Sequence, residues 1–208
     1  MNTQTNNQNK EQPNETSNLS TILISSVKDG GIQDIGIDIA EIGLDSILNT
    51  GVLEELPIFK TIISLTKTGL MIRDRIFIKK ILLFLNEFDK ISNDKKEEVI
   101  KNIKTDSDYA EKVGETVIVL LEQFDETEKA CLLARLFSAY VRKIIAPEEF
   151  SRYSTGVNRV LLRDIKDLLS YYKGEKEEYQ VFWEGLHQGG FSSIYINNLN
   201  IPNAKETI

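Results

Sequence analysis

The spacing of its apolar residues is the feature that most constrains how this chain folds. Between Ser20 and His187 almost every apolar run repeats at three and four positions, and alternation at every second residue is rare. A repeat of that length places apolar side chains on one face of an α-helix, whereas a half-buried strand needs alternation. The spacing therefore predicts an all-α fold, a compact bundle of about seven or eight helices around one core.

Prolines, glycines and acidic pairs predict where the helices begin and end. Pro57 and Pro147 suit the first position of a helix, because a residue there needs no N–H donor. Two acidic pairs have the spacing of a capping box: Asp94 with Glu97, and Asp125 with Glu128. The predicted helices are 19–27, 32–48, one from Pro57 onwards with a kink or break at Gly69, 94–103, 107–124, 126–143, one from Pro147 to Gly174, and 175–187. The very apolar helix from Glu126 to Lys143 is expected at the centre.

The two ends of the chain differ from its middle. The first twenty residues are polar, rich in Asn and Gln, and lack the positive start and apolar core of a secretory signal. Residues 1–18 are therefore predicted to form a disordered tail, followed by a helical domain over 19–187. The β-prone run from Phe191 to Ile196 follows two glycines and predicts an extended segment over 188–208.

Composition and missing motifs argue against several classes of function. A net charge of -7 argues against a general nucleic-acid coat. With one cysteine, Cys131, and one histidine, His187, the chain has no disulfide framework and no self-contained Cys/His zinc site. Patterns for nucleotide cradling, the hydrolase elbow and the zinc-protease helix are absent. We therefore expect no enzyme activity, cofactor, metal or small-molecule substrate, and we expect the apolar neighbours of Cys131 to raise its pKa.

Four carboxylates are expected on one face of the predicted helix 32–48. They follow one another at spacings of four, three and four residues: Asp34, Asp38, Glu41 and Asp45. This pattern is typical of a solvated helix face, and it also suits a metal or cation site or a docking strip for basic groups. A di-metal carboxylate site would need Glu-x-x-His pairs, which the sequence lacks.

A basic segment follows over residues 59–80. It carries six cations and one carboxylate, which makes it +5 inside a chain of -7. The cations are Lys60, Lys67, Arg73, Arg75, Lys79 and Lys80. Apolar residues interleave with them, as in an amphipathic helix on an anionic membrane or in a core helix whose cations stay in water. Both interpretations remain open at this point.

Aromatic residues form the third candidate surface. Tyr179, Phe182 and Trp183 come shortly after Tyr171 and Tyr172. Such a group is often a satellite of the core. It can also bind a protein, since Trp and Tyr supply large and rigid contact areas. Tyr179 and Trp183 are the members that we carry forward as interaction residues.

Several runs of this sequence resemble a scattered set of small bacterial helical proteins with no assigned activity. The resemblance covers roughly residues 20–172. The runs that carry it are 57–67, 73–80, Phe84–Leu85, Asp125–Ala130, Leu136–Phe137 and Pro147–Phe150. The resemblance implies bacterial origin and a helical fold. Several of the similar proteins are encoded among mobile or phage-related genes, which implies a role in defence or regulation.

Two functional hypotheses follow from these features. The leading one is a cytoplasmic, non-enzymatic interaction or regulatory module that binds a protein or a second copy, because acidic and basic faces are segregated along the chain. The alternative is a peripheral membrane effector that acts at the inner face of the membrane through the basic amphipathic segment 57–88. Binding to anionic vesicles that weakens with salt would separate the two, and nucleic acid is the least expected partner.

Overall fold

The computed structural model describes residues 15–28, 47, 51–65, 70–105, 107–177 and 181–191. Within these ranges the chain forms α-helices, one 3-10 helix and no strand, which confirms the all-α fold. The elements are α1 (Glu15–Lys28), the 3-10 helix (Val52–Glu55), α2 (Pro57–Leu65), α3 (Ile72–Asp89), α4 (Asn93–Thr105), α5 (Ser107–Gln123), α6 (Lys129–Val141), α7 (Pro147–Arg159), α8 (Leu162–Tyr172) and α9 (Trp183–Gln188). Apart from Ile47, the predicted helix 32–48 lies outside the described residues, as does the β-prone run beyond Phe191.

The predicted helix starts are confirmed where a proline marks them. Helices α2 and α7 begin at Pro57 and Pro147. Helix α1 begins at Glu15 instead of Leu19, and so includes part of the polar region. Polar and acidic residues suit the first turn of a helix, because they can satisfy its free N–H groups and its positive dipole end. The polar composition of residues 15–18 therefore does not exclude them from the helix, and the predicted start at Leu19 is wrong.

Both predicted capping boxes are wrong. Helix α4 begins at Asn93, which places Asp94 inside its first turn. Residues 125–128 form a turn, and α6 begins only at Lys129 with no side-chain cap from Glu128. The side chain of Asp125 instead accepts hydrogen bonds from the N–H of Glu126 at 2.9 Å and from Nζ of Lys129 at 2.7 Å.

Two carboxylates in the described part of the chain accept the backbone N–H of the residue directly before their own helix. The N–H of Met71 donates to Oδ2 of Asp74 at 2.8 Å, before α3. The N–H of Ala146 donates to Oε2 of Glu149 at 2.7 Å, before α7. Methionine and alanine have no side-chain oxygen with which to complete a capping box, so a search for that motif does not detect these starts.

The predicted helix from Pro147 to Gly174 is two helices. Val160 and Leu161 are extended, with ψ of 144° and 137°, and they separate α7 from α8. The first N–H of α8, that of Leu162, donates to Oε1 of Glu126 at 2.8 Å, so a distant side chain caps the second helix. The last predicted helix, 175–187, is also shorter than expected, since α9 covers only Trp183–Gln188.

Helices α5 and α6 share the centre of the described bundle. Helix α6 packs against α3, α4, α5 and α7, and α5 also contacts α1. Along α6, all of which the structure describes, Arg135 is the one exposed side chain. The ring of Phe137 lies 5.7 Å from that of Phe84 and 6.2 Å from that of Phe88, which joins α6 to α3. The predicted central position of this segment is confirmed, although α5 shares it.

Acid should weaken the contact between α3 and α6. Burial raises the pKa of Glu87, but hydrogen bonds from Arg135 at 2.6 Å and Lys90 at 3.2 Å outweigh it, so this pKa lies below its ordinary 4.5. A carboxyl group with a depressed pKa stabilises the fold above its unfolded-state pKa, and the stabilisation is lost as pH falls through the folded-state value.

We therefore expect the free energy of unfolding to fall less steeply with acid in Glu87→Gln than in the parent chain. Urea titrations at several pH values between about 6 and 3 would measure both slopes. Glu148→Gln is the matched control, because Glu148 is exposed on α7. Equal slopes in the parent and in Glu87→Gln would contradict the assignment.

Candidate interaction surface

Large apolar side chains remain exposed where α2 ends and α3 begins. The exposed fractions are 47% for Leu65, 66% for Met71, 79% for Ile72 and 41% for Ile76. Exposed cations accompany them on the first turns of α3. We term this set the apolar–basic surface: Leu65, Met71, Ile72, Arg73, Arg75, Ile76 and Lys79.

Helix α3 is apolar on two opposite faces. One face is buried in the core and carries Ile78, Ile81, Leu82, Phe84, Leu85 and Phe88. At 100° per residue, Ile72, Ile76 and the half-buried Leu83 fall within about 40° of one another on the opposite face. Arg75 and Lys79 fall on one side of this outer stripe. Leu83 packs against the core, whereas Ile72 and Ile76 are exposed and available for a second contact.

Lys80 does not belong to this surface, although the sequence placed it among the candidate interaction residues. The residue is 3% exposed. Its Nζ donates to the carbonyl oxygen of Glu122 at 3.1 Å and to that of Phe124. These carbonyl groups lie at the C-terminal end of α5. The last carbonyl groups of a helix have no N–H partner within it and form the negative end of its dipole, so a cation is favourable there. Burial lowers the pKa of Lys80, while the charges of Asp125 and Glu122 oppose that shift.

The other predicted cations differ in their surroundings. Arg73 is exposed and forms an ion pair with Glu122, which links the start of α3 to the end of α5. An ion pair between exposed side chains is screened by water and contributes little to stability. Lys60 and Lys79 are exposed on α2 and α3. Lys67 lies outside the described residues.

The predicted acidic face cannot be compared with the basic one. All four of its carboxylates lie outside the described residues: Asp34, Asp38, Glu41 and Asp45. In the ranges that the structure does describe, no three His, Cys, Asp or Glu side chains come together in a way that could hold a metal ion. The docking strip therefore remains a prediction.

The aromatic residues divide between a packed and an exposed group. Trp183 is half-buried and meets the ring of Tyr171 edge-on at 5.7 Å, as expected for a satellite of the core. Tyr172 and Phe182 are exposed, and so is Leu169 of α8. Tyr179 lies outside the described residues. Together with the exposed Leu161, these exposed residues are termed the α8–α9 surface, after the two helices on or next to which they lie.

An open groove of about 590 Å³ runs beside α7. Its lining combines two arginines, two hydroxyl groups and a glycine pair: Arg152, Arg159, Ser151, Thr155, Gly189 and Gly190, with Pro147 and Glu148 at one end. Sequence reasoning missed this groove because α7 and the glycine pair are far apart in the chain. Cys131, by contrast, behaves as expected, since its partial burial raises the pKa of the thiol.

Comparison with known proteins assigns no family to the chain. No family model, no curated protein and no solved structure matches it. No helix in the described ranges has the length and apolar character that crossing a membrane requires.

Proposed function

We propose that this chain is a non-enzymatic binding module and that it holds its partner through the apolar–basic surface. The observation that carries the proposal is the exposure of Met71 and Ile72 at 66% and 79%. Single exposed apolar residues are common and need no functional explanation. A group of four within residues 65–76 that is accompanied by cations is typical of a protein or membrane interaction site.

The charge of the surface indicates what kind of partner it selects. The chain as a whole is negative, at -7, whereas this surface presents Arg73, Arg75 and Lys79. The nearest carboxylate on α3, Asp74, is half-buried and accepts the N–H of Met71. Because oppositely charged surfaces attract over a Debye length, an anionic partner would be steered to this side of the bundle.

The α8–α9 surface is a second candidate, and it favours a protein partner or a second copy of the chain. Tyr172 and Phe182 are 60% and 56% exposed, and Leu169 of α8 is 45% exposed. Exposed aromatic side chains bury a large area with few rotatable bonds, which makes them effective anchors in protein interfaces. This candidate does not depend on the apolar–basic surface.

We expect a photo-crosslinking amino acid at position 72 to form adducts when a tagged chain is expressed at native level in its host. The matched control is position 144, because Ile144 is also exposed, at 59%, but lies in the loop between α6 and α7. Mass spectrometry of the adducts would show whether each is a polypeptide or a lipid. Adducts at position 72 that do not exceed those at position 144 would contradict the proposal, and position 172 tests the α8–α9 surface in the same way.

A further inference from the structure

We propose that the partner of the apolar–basic surface is a bilayer that contains anionic lipids, with Met71 and Ile72 inserted among the headgroups. This inference rests on the proposed function, and it names the chemistry of the partner. It follows from the arrangement of cations around the apolar stripe, from the way the apolar residues project, and from the net charge of the surface.

Cations flank the outer stripe of α3 on both sides. On a helical projection, Arg73 lies on one side of Ile72 and Ile76, and Arg75 and Lys79 lie on the other. Arginine and lysine can lay their aliphatic stems along apolar surface while the charged group reaches towards phosphate. A helix that rests in a membrane interface has this same arrangement, with apolar residues in the middle and cations at the edges.

The most exposed apolar residues stand at the beginning of a helix. Met71 is the N-cap residue of α3 and Ile72 is its first residue. With exposed fractions of 66% and 79%, both side chains project from the body of the protein. A lipid interface can receive projecting side chains of any shape, whereas a protein partner would need a cavity that matches them.

The net charge of this surface provides the second attraction that membrane binding requires. A few apolar side chains bind a bilayer only weakly, and stable attachment combines them with basic residues near anionic lipid. The surface contributes three exposed cations, Arg73, Arg75 and Lys79. Because the whole chain carries -7, a negative membrane repels most of the molecule and favours an orientation with this surface towards the lipid.

An acidic amphipathic protein segment is the competing occupant. A protein interface of standard size buries about 800 Å² on each partner, which is more than four partly exposed side chains supply. The outer stripe of α3 is also narrow, since it consists of Ile72, Ile76 and the half-buried Leu83. The small, projecting and cation-flanked patch therefore fits a lipid surface better.

Flotation of the full chain with vesicles tests this inference. We expect binding to vesicles of phosphatidylcholine with phosphatidylserine at low salt, and no binding to phosphatidylcholine alone. Salt near 1 M shortens the Debye length to about 3 Å and should release the protein. The variants Met71→Gln/Ile72→Gln and Arg75→Glu/Lys79→Glu should each lower the partition coefficient at least about tenfold.

Matched control variants carry the same changes elsewhere on the molecule. Ile144→Gln removes an exposed isoleucine outside the surface, and Lys101→Glu/Lys166→Glu reverses two exposed charges on α4 and α8. Both controls should bind anionic vesicles nearly as the parent chain does. Thermal unfolding followed by circular dichroism shows which variants are folded and can be compared.

The possible results separate this inference from the proposed function. No binding of the parent chain to anionic vesicles at low salt, or equal binding by the surface variants and the controls, overturns the lipid assignment. If position 72 then crosslinks to a polypeptide, the surface is a binding site and only its partner was misassigned. If position 72 forms no adduct above the control either, both proposals are wrong.

Discussion

Replacing Lys80 with glutamate is expected to lower the free energy of unfolding by about 3 to 5 kcal/mol, whereas Lys79→Glu should change it by less than about 0.5 kcal/mol. The ammonium group of Lys80 is buried and donates to the carbonyl oxygens of Glu122 and Phe124. A carboxylate at that position would face these two acceptors and could donate to neither. Lys79 is exposed, so its replacement removes no buried contact.

Urea unfolding at neutral pH, followed by circular dichroism, would measure both changes. Lys80→Met is the third member of the series, because it keeps much of the side-chain volume but removes the charge and the donors. Lys80→Met should lower the free energy of unfolding by about 1 to 3 kcal/mol, because it leaves buried acceptors without a donor. If Lys80→Glu proved as stable as Lys79→Glu, the side chain of Lys80 would not be buried, and it would belong with the surface cations.

This pair of lysines shows why charge counting overstates the basic surface. The sequence assigns +5 to residues 59–80 but cannot tell which cations are used inside the protein. Lys80 is held by carbonyl groups 42 and 44 residues away, and Arg73 pairs with Glu122 across a similar separation. Partners at that distance leave no local pattern, so only the packed structure separates internal cations from surface ones.

Local signals predicted those parts of the fold that have local causes. The apolar repeat predicted helices, and the prolines predicted the starts of α2 and α7, because both effects act within a few residues. The turn over 125–128 was missed, since its structure depends on contacts with other helices. Lys129 is 1% exposed and reaches Asp125, while Glu126 caps Leu162 of α8.

Most residues of the apolar–basic surface were identified from the sequence, but their exposure was not. Ile72 and Ile76 were seen as apolar residues that interleave with cations, and this pattern fits a core helix as well as a surface helix. The core face of α3 became known only when α6 was seen to pack against Phe84 and Phe88. On the opposite face, Ile72 and Ile76 remain exposed, at 79% and 41%.

The junction between α7 and α8 gives the second large expected effect. A Cβ atom on Gly189 would lie 1.8 Å from Cγ2 of Val160, which is far inside van der Waals contact. The backbone of Gly189 has φ of -77°, which alanine adopts without strain, so the penalty comes from this overlap. We expect Gly189→Ala to lower the free energy of unfolding by about 3 kcal/mol, at the upper end of overpacking effects.

A double-mutant cycle with Val160→Ala tests this explanation, because that change removes the methyl group with which the new Cβ collides. Val160 is itself buried, so Val160→Ala alone should also destabilise the fold. The double variant should nevertheless lose clearly less free energy of unfolding than the sum of the losses in the two single variants, since the two residues are in direct contact. Additive losses in urea unfolding would mean that Val160 is not the obstacle.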